Sequence, residues 1–403
     1  MNNQRFLSIF LITALIIISS QLHTSCIYAQ PSVNFTAPVQ KIADGFTFVE
    51  GPVWKDGVGL LFSDITRAKI YMWTEEDSIT VFMERSDSTN GLTYDLEGRL
   101  VAGQMGKRRI VRFENDGTQT DLASTYQGKR FNSPNDLVVK SDGSIFFTDP
   151  DFNIPGGKAK KELSFNGIFR ISPSGNLQLL DSSLDLPNGI CFSPDETKLY
   201  VNDSQKRIIY VWDLVNDSTI ANKRELNRIS TPGYADGMKV DMDGNIYCAG
   251  PTGIWVYASD GTYLGKFTLP AGNASNCNWG DEDGKTLYIT GGTSVYRVRP
   301  IITSVENKQG NNIQHSFELH QNFPNPFNPS TVIAWNIINP CFVSLRIYDT
   351  IGSCIATLVE EYKTPGSYYS TFDINNYQLS SGIYFYTLNA GSFSETKKMV
   401  YLR

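Results

Sequence analysis

The sequence predicts an all-β chain, a six-bladed β-propeller followed by a small β-sandwich. Three observations carry that reading. Aromatic residues make up 12% of the chain, with 20 Tyr and 23 Phe, and acidic Gly turns recur, a composition suited to strands and tight turns. A unit of two apolar strands around an acidic turn occurs six times. A further run of short alternating strands follows a polar interruption near residue 302. At 403 residues the chain exceeds one ordinary core, so more than one domain is expected.

Residues 1–29 read as a secretory signal peptide. Arg5 supplies the positive start, Phe6 to Ile18 is almost wholly apolar, and cleavage after Ala29 is expected. That apolar run is short for a bilayer span. A lipoprotein signal using Cys26 is the alternative. No later stretch is long and apolar enough for a transmembrane helix. Of six cysteines, five lie beyond Cys26, an odd number without CxxC spacing, which argues against a disulfide scaffold or zinc site. The formal charge is −6. No basic stripe is present, so nucleic acid is not an expected partner.

The propeller is assigned to residues 30–301. Its six units begin EGPVWKDGVGLLFSDI at Glu50, NGLTYDLEGRLVAG at Asn90, NDLVVKSDGSIFFTDP at Asn135, NGICFSPDETKLYVND at Asn188, DGMKVDMDGNIYCAG at Asp236 and NCNWGDEDGKTLYITGG at Asn276. The turns start at Asp56, Glu97, Asp142, Asp195, Asp243 and Asp283, spaced by 41, 45, 53, 48 and 40 residues. Five units place the leading polar residue seven positions before the turn, and the first is one residue shorter. About four strands in each 40–50 residues is the signature of a propeller blade.

Rotation about a propeller axis brings equivalent positions together. Glu50, Asn90, Asn135, Asn188, Asp236 and Asn276 are therefore expected as a ring of oxygen donors at one mouth of the channel. Such donors suit a hard cation, Ca²⁺ first, with Mg²⁺ or Mn²⁺ as alternatives. The three histidines are His23, His315 and His320, so a Ser-His-Asp triad or a His general base is excluded from this domain. Asn90 and Asn276 also read as simple turn formers. Glu50 does not, and Asp236 shares its register.

Residues from about 38 to 300 resemble the senescence-marker-protein/gluconolactonase/LRE-like family of six-bladed propellers. The motifs that carry the resemblance are EGPVW from Glu50, NSPNDLVV from Asn132, SIFFTDP ending at Pro150, LPNGICFSPDETKLYV from Leu186 and YADGMKVDMDGNIY from Tyr234. The resemblance implies one divalent cation held by Glu50, Asn188 and Asp236, with Asn135 as a further ligand or substrate contact. It implies a metal-dependent lactonase in which the metal polarises the carbonyl and Asp236 is the general base. Some members carry an Arg two residues before the Asn of the ND pair. Ser133 stands there in this chain, and Arg130 is the nearest candidate for a catalytic or substrate-binding arginine. Asp149 and Asp203 end second strands and read equally well as turn residues. The alternatives to a lactonase are a hydrolase of another ester or phosphoester, or a non-catalytic sugar- or ligand-binding propeller at the cell surface.

Residues 302–316 read as a linker around ENKQGNN, and 317–403 as a sandwich of short strands: TVIAWNI, VSLRIYD, IATLVEE, SYYSTFDI, GIYFYTL and KKMVYL. Pro324, Pro326 and Pro329 predict an extended lead-in segment. LHQNFPNPFNPST, LRIYDTIG and LSSGIYFYTLNAGSF make this tail resemble the C-terminal sorting domain of the type IX secretion system of Bacteroidetes-like bacteria. The resemblance implies that secretion machinery as a partner, and export to the outer-membrane surface or the medium.

Overall fold

The structure is a computed structural model. It describes residues 32–300, 302–303 and 318–402, apart from positions 217, 271, 282, 338–340, 364–365, 378 and 392. The expected signal peptide and nearly all of the expected linker lie outside the described residues.

Continuous apolar runs become strands buried on both faces, because each is sandwiched between neighbouring sheets. Gly59–Asp64, Ile145–Asp149, Ile246–Gly250 and Thr286–Gly291 are buried along their whole length. Outer strands such as Ser78–Met83 and Thr219–Arg228 are largely open to solvent. Among the described residues, six four-stranded antiparallel sheets follow one another between residues 40 and 298. The first runs Val49–Lys55, Gly59–Asp64, Lys69–Thr74 and Ser78–Met83. The next four begin with Thr89–Tyr94, Leu137–Val139, Pro187–Phe192 and Met238–Val240. The last consists of Asn276–Gly280, Thr286–Gly291, Ser294–Val298 and, as its outer strand, the N-terminal Gln40–Asp44. The first strand of each sheet touches that of the next, and the sixth touches the first. This closed ring is a β-propeller.

Apolar side chains pack between adjacent sheets. Val53, Leu61 and Ile70 of the first meet Leu92, Ala102 and Val111 of the second. Closure uses both ends of the chain. Gln40 pairs with Arg297 and Asp44 with Ser294, while Ser32 pairs with Thr303 and Val33 with Ile302. The turns that defined the repeat place Gly98, Gly143, Gly244 and Gly284 at positive φ. In the glycine-free turn of the fourth unit Glu196 takes that conformation, with φ 53°. Its carboxylate then accepts from the Ser141 amide at 2.8 Å.

The C-terminal strands form a three-stranded sheet (Glu318–Leu319, Ser330–Ile337, Gly366–Asp373) and a four-stranded one (Cys354–Lys363, Cys341–Tyr348, Gly382–Ala390, Phe393–Tyr401). Alternating residues on them, among them Ile333, Trp335, Val343, Leu345, Ile347, Tyr386 and Leu388, enclose a core of their own, as a β-sandwich requires. The proline segment is bent rather than extended, and the bonds preceding Pro324, Pro326 and Pro329 are cis. Among the described residues no helix is long and apolar enough to cross a membrane.

Candidate active site

Each sheet delivers one of the six repeat-leading residues to its innermost strand or to the segment that enters it. Asn135 and Asp236 stand two residues before the short strands Leu137–Val139 and Met238–Val240, and the other four lie within strands. Asn90 and Asn276 are thus strand residues, contrary to the turn reading. Glu50, Asn90, Asn135, Asn188 and Asn276 are buried. Asp236 keeps partial access to solvent.

Two repeated devices hold the ring. The residue before the end of a second strand fastens the ring residue of the next sheet. Ser63 donates to the Asn90 carbonyl at 2.8 Å, Thr148 to that of Asn188 at 2.7 Å, and the Asn202 amide to that of Asp236. The strand-ending carboxylates cap the loop that leads into the ring. Asp64 accepts from the Thr47 and Phe48 amides, Asp149 from Asn132 and Ser133 at 2.7 Å each, and Asp203 from Asp185 at 2.8 Å. Burial lifts Asp149 to about 7 against these donors. Asp149 and Asp203 therefore work as loop caps, the reading the sequence left open.

Side chains meet across the axis. The Asn276 amide donates to Glu50 Oε2 at 3.0 Å and lies 3.5 Å from Asp136 Oδ2, so the sixth sheet touches the first and the third. Asp236 is hydrogen-bonded by Asn188 and in contact with Glu50. Glu50, Asn188 and Asp236 are thus brought together. The second oxygen acceptors are free. Asn188 Oδ1 and Asn90 Oδ1 are buried without a hydrogen-bond partner, a costly condition for a polar atom.

Electrostatics tell the same story. Burial lifts Glu50 to about 7, aided by the Asp136 charge and opposed by the Gly51 amide and Asn276. Asp236 is raised well above the ordinary carboxylate range by burial and then by the charge of Glu50. Two adjacent carboxylates without a sufficient counter-charge bind protons, or a cation in their place. Among the described residues no three or more His, Cys, Asp and Glu are arranged as a metal centre. This ring instead adds amide oxygens to two carboxylates, a donor set that fits a hard divalent ion.

Asn135 lies in the ring, its carbonyl accepting from the Gly91 amide at 2.9 Å. Arg130 stands apart. It is exposed on the short hairpin of Thr125–Tyr126 and Lys129–Arg130, and its guanidinium donates to the Lys107 carbonyl at 3.0 Å. None of its recorded partners is a ring residue. Ser133 has a buried hydroxyl without a partner.

Two site residues escaped the sequence reading. Asp136 is buried beside the ring, with Oδ1 on the Leu137 amide at 2.9 Å. Lys239 Nζ lies 3.9 Å from Asp136 Oδ2 and donates to the Met238 carbonyl at 3.0 Å. Burial pulls its ammonium down, but the charge of Asp136 leaves it above its ordinary value. The available signal was a lysine inside the otherwise apolar innermost strand Met238–Val240.

Fold and site together define a β-propeller with an oxygen-lined centre at its axis. The chain belongs to the SMP-30/Gluconolactonase/LRE-like family, whose profile matches residues 48–293. A second profile, the secretion system C-terminal sorting domain, matches residues 321–402. The chain is 35% identical over 294 residues to a gluconolactonase of Zymomonas mobilis, covering 66% of this chain and 82% of that one. It is 27% identical over 246 residues to a pentonolactonase of Haloferax volcanii, covering 60% and 80%. A gluconolactonase structure from Xanthomonas campestris superposes with a TM-score of 0.62 at 35% identity, over 66% of this chain and 90% of that one.

Proposed function

We propose that the propeller hydrolyses a sugar lactone, working with one divalent cation, Ca²⁺ first, held by Glu50, Asn188 and Asp236. The observation that carries this is the convergence of the buried Glu50 carboxylate and the partly accessible Asp236 carboxylate with an unpartnered amide oxygen at the axial mouth. The gluconolactonase relatives support the substrate class. When bound, a hard cation supplies Lewis acidity toward a carbonyl oxygen.

The residues of the chain supply the remainder. Asp236, the ring carboxylate with access to solvent, takes a proton from water as it adds to the lactone carbonyl carbon. The ring C–O bond then breaks, the departing alkoxide takes back the proton that Asp236 removed, and a hydroxy acid leaves. Glu50 keeps its carboxylate fixed through the Gly51 amide at 2.8 Å and Asn276. Asn135 contacts the substrate or serves as a further cation ligand. Arg130 lies on an exposed hairpin, and reaching the substrate would require that hairpin to approach the ring. The sorting domain supports export through the type IX machinery, with the propeller on the cell surface or in the medium.

The test is a pH-drop assay of the purified chain on a panel of aldonolactones, with Ca²⁺, Mg²⁺, Mn²⁺ or chelator. Turnover that needs the cation and is lost in Glu50→Gln and Asp236→Asn is the expected result. A cation bound without turnover on any lactone would replace this reading by that of a binding propeller or a hydrolase of another ester.

A further inference from the structure

Lys239 projects from the fifth sheet toward Asp136 of the third, on the side of the ring where Cys191 and Cys277 lie. We propose that Lys239 is a positioning residue that sets the charge of the axial cluster and so matches it to a divalent cation. The inference rests on the cation reading above. Once a cation takes the place of the protons, three carboxylates (Glu50, Asp136, Asp236) and one ammonium share the cluster, three negative charges and one positive, so the protein contributes a net charge of −2. The neighbouring thiols do not enter this sum, because burial pushes both Cys191 and Cys277 up and keeps them neutral. Lys239 is also fixed in place. Its ammonium is held by the Met238 carbonyl and Asp136, and Asp136 is held in turn by the Leu137 amide and faced by Asn276. A divalent ion completes neutrality in this enclosed site. A trivalent ion overshoots it.

The charge account makes a prediction that a merely structural role does not. Coulomb energy is proportional to the charge of the ion. Removing one positive charge must therefore tighten a trivalent ion more than a divalent one. The probes are Ca²⁺ and Tb³⁺ alone, titrated calorimetrically into the full chain at about pH 8. Lys239→Met should tighten Ca²⁺ about tenfold and Tb³⁺ about thirtyfold, the ratio set by ion charge. Asp136→Asn should loosen both by the same two factors. The double variant restores the charge and should return both ions to within about threefold of wild type, as a closed cycle requires. Lys239→Arg keeps the charge and should leave the Ca²⁺/Tb³⁺ ratio unchanged. If Lys239→Met fails to fold, Lys239→Gln removes the same charge with a polar side chain and is read in the same way. Equal factors for the two ions, or shifts of one sign in both single variants, would overturn the inference while leaving the cation site standing. A wild-type chain that binds neither ion would remove the cation site, and this inference with it.

Discussion

Replacing Glu50 by Gln in the cation-free protein should make it more stable at neutral and higher pH. Glu50 is lifted from its ordinary 4.5 to about 7, first by burial. A folded-state value above the unfolded one means that the folded chain binds this proton more tightly. The associated stability is present in full below about pH 4.5 and is lost as pH rises to about 7. The gap between 4.5 and about 7, at about 1.4 kcal/mol per pH unit, gives about 3 kcal/mol lost above it. Gln is nearly isosteric and keeps an oxygen for the Gly51 amide and Asn276. Glu50→Gln should therefore recover most of that amount at about pH 8 and almost nothing at about pH 4, since protonated Glu is already neutral. The assay is urea unfolding of both proteins in chelator across that range. Adding Ca²⁺ at a hundredfold excess over its Kd should raise the wild type by about 2.7 kcal/mol and leave the variant nearly unmoved. Parallel pH profiles for the two proteins would refute the reasoning, because the carboxylate would then carry no unmet charge.

Asp236→Asn should abolish lactone turnover and weaken Ca²⁺ binding, both measured on the same preparation by pH-drop assay and calorimetry. Gly237→Ala should damage the ring, because an added Cβ would sit 1.9 Å from Asn276 Cγ. Lower Ca²⁺ affinity and a cost of about 1–3 kcal/mol in urea unfolding, as for other overpacked sites, are the expected readouts. Asp149→Ala should cost about 2–6 kcal/mol, since it strips the Asn132 and Ser133 amides of their acceptor and each unmet donor costs about 1–3 kcal/mol. Thermal unfolding checks it, and an unchanged midpoint would deny Asp149 its capping role.

The repeat was legible because its register is rigid: a polar residue at a fixed offset from an acidic turn. That offset located the strands and the ring. The Asn-Gly and Asp-Gly pairs were harder, since the same dipeptides mark turns. Here the glycine answers a different need. Gly51, Gly91, Gly189 and Gly237 each follow a ring residue, and a Cβ on any of them would run into the ring residue of the next sheet, at 2.3 Å from the Asn90 carbonyl for Gly51 and 2.4 Å from that of Asp236 for Gly189. Close packing of inner strands thus imitates a turn signal, which is why Asn90 was open to misreading. Asp136 and Lys239 were hidden for another reason. Their partnership crosses the channel between the third and fifth sheets, and no counterpart charge occurs at the same register elsewhere: the residue three beyond the ring position is Val53, Thr93, Val138, Cys191 or Trp279 in the other units. A pattern search finds what repeats, and this pair does not.

The pairing of Ser32–Val33 with Ile302–Thr303 has a topological consequence. The polypeptide enters and leaves the propeller side by side, so the whole ring is bracketed by one short two-stranded clasp. A nick outside that clasp can free whatever precedes residue 32 or follows residue 303 without breaking any blade. A cut between residues 33 and 40 would leave every sheet intact yet detach the clasp strand from the strand Gln40–Asp44 that locks the last sheet. By the same geometry, the ends could be joined by a short loop and the chain reopened in an exposed outer turn, giving a permuted propeller with its axial centre unchanged.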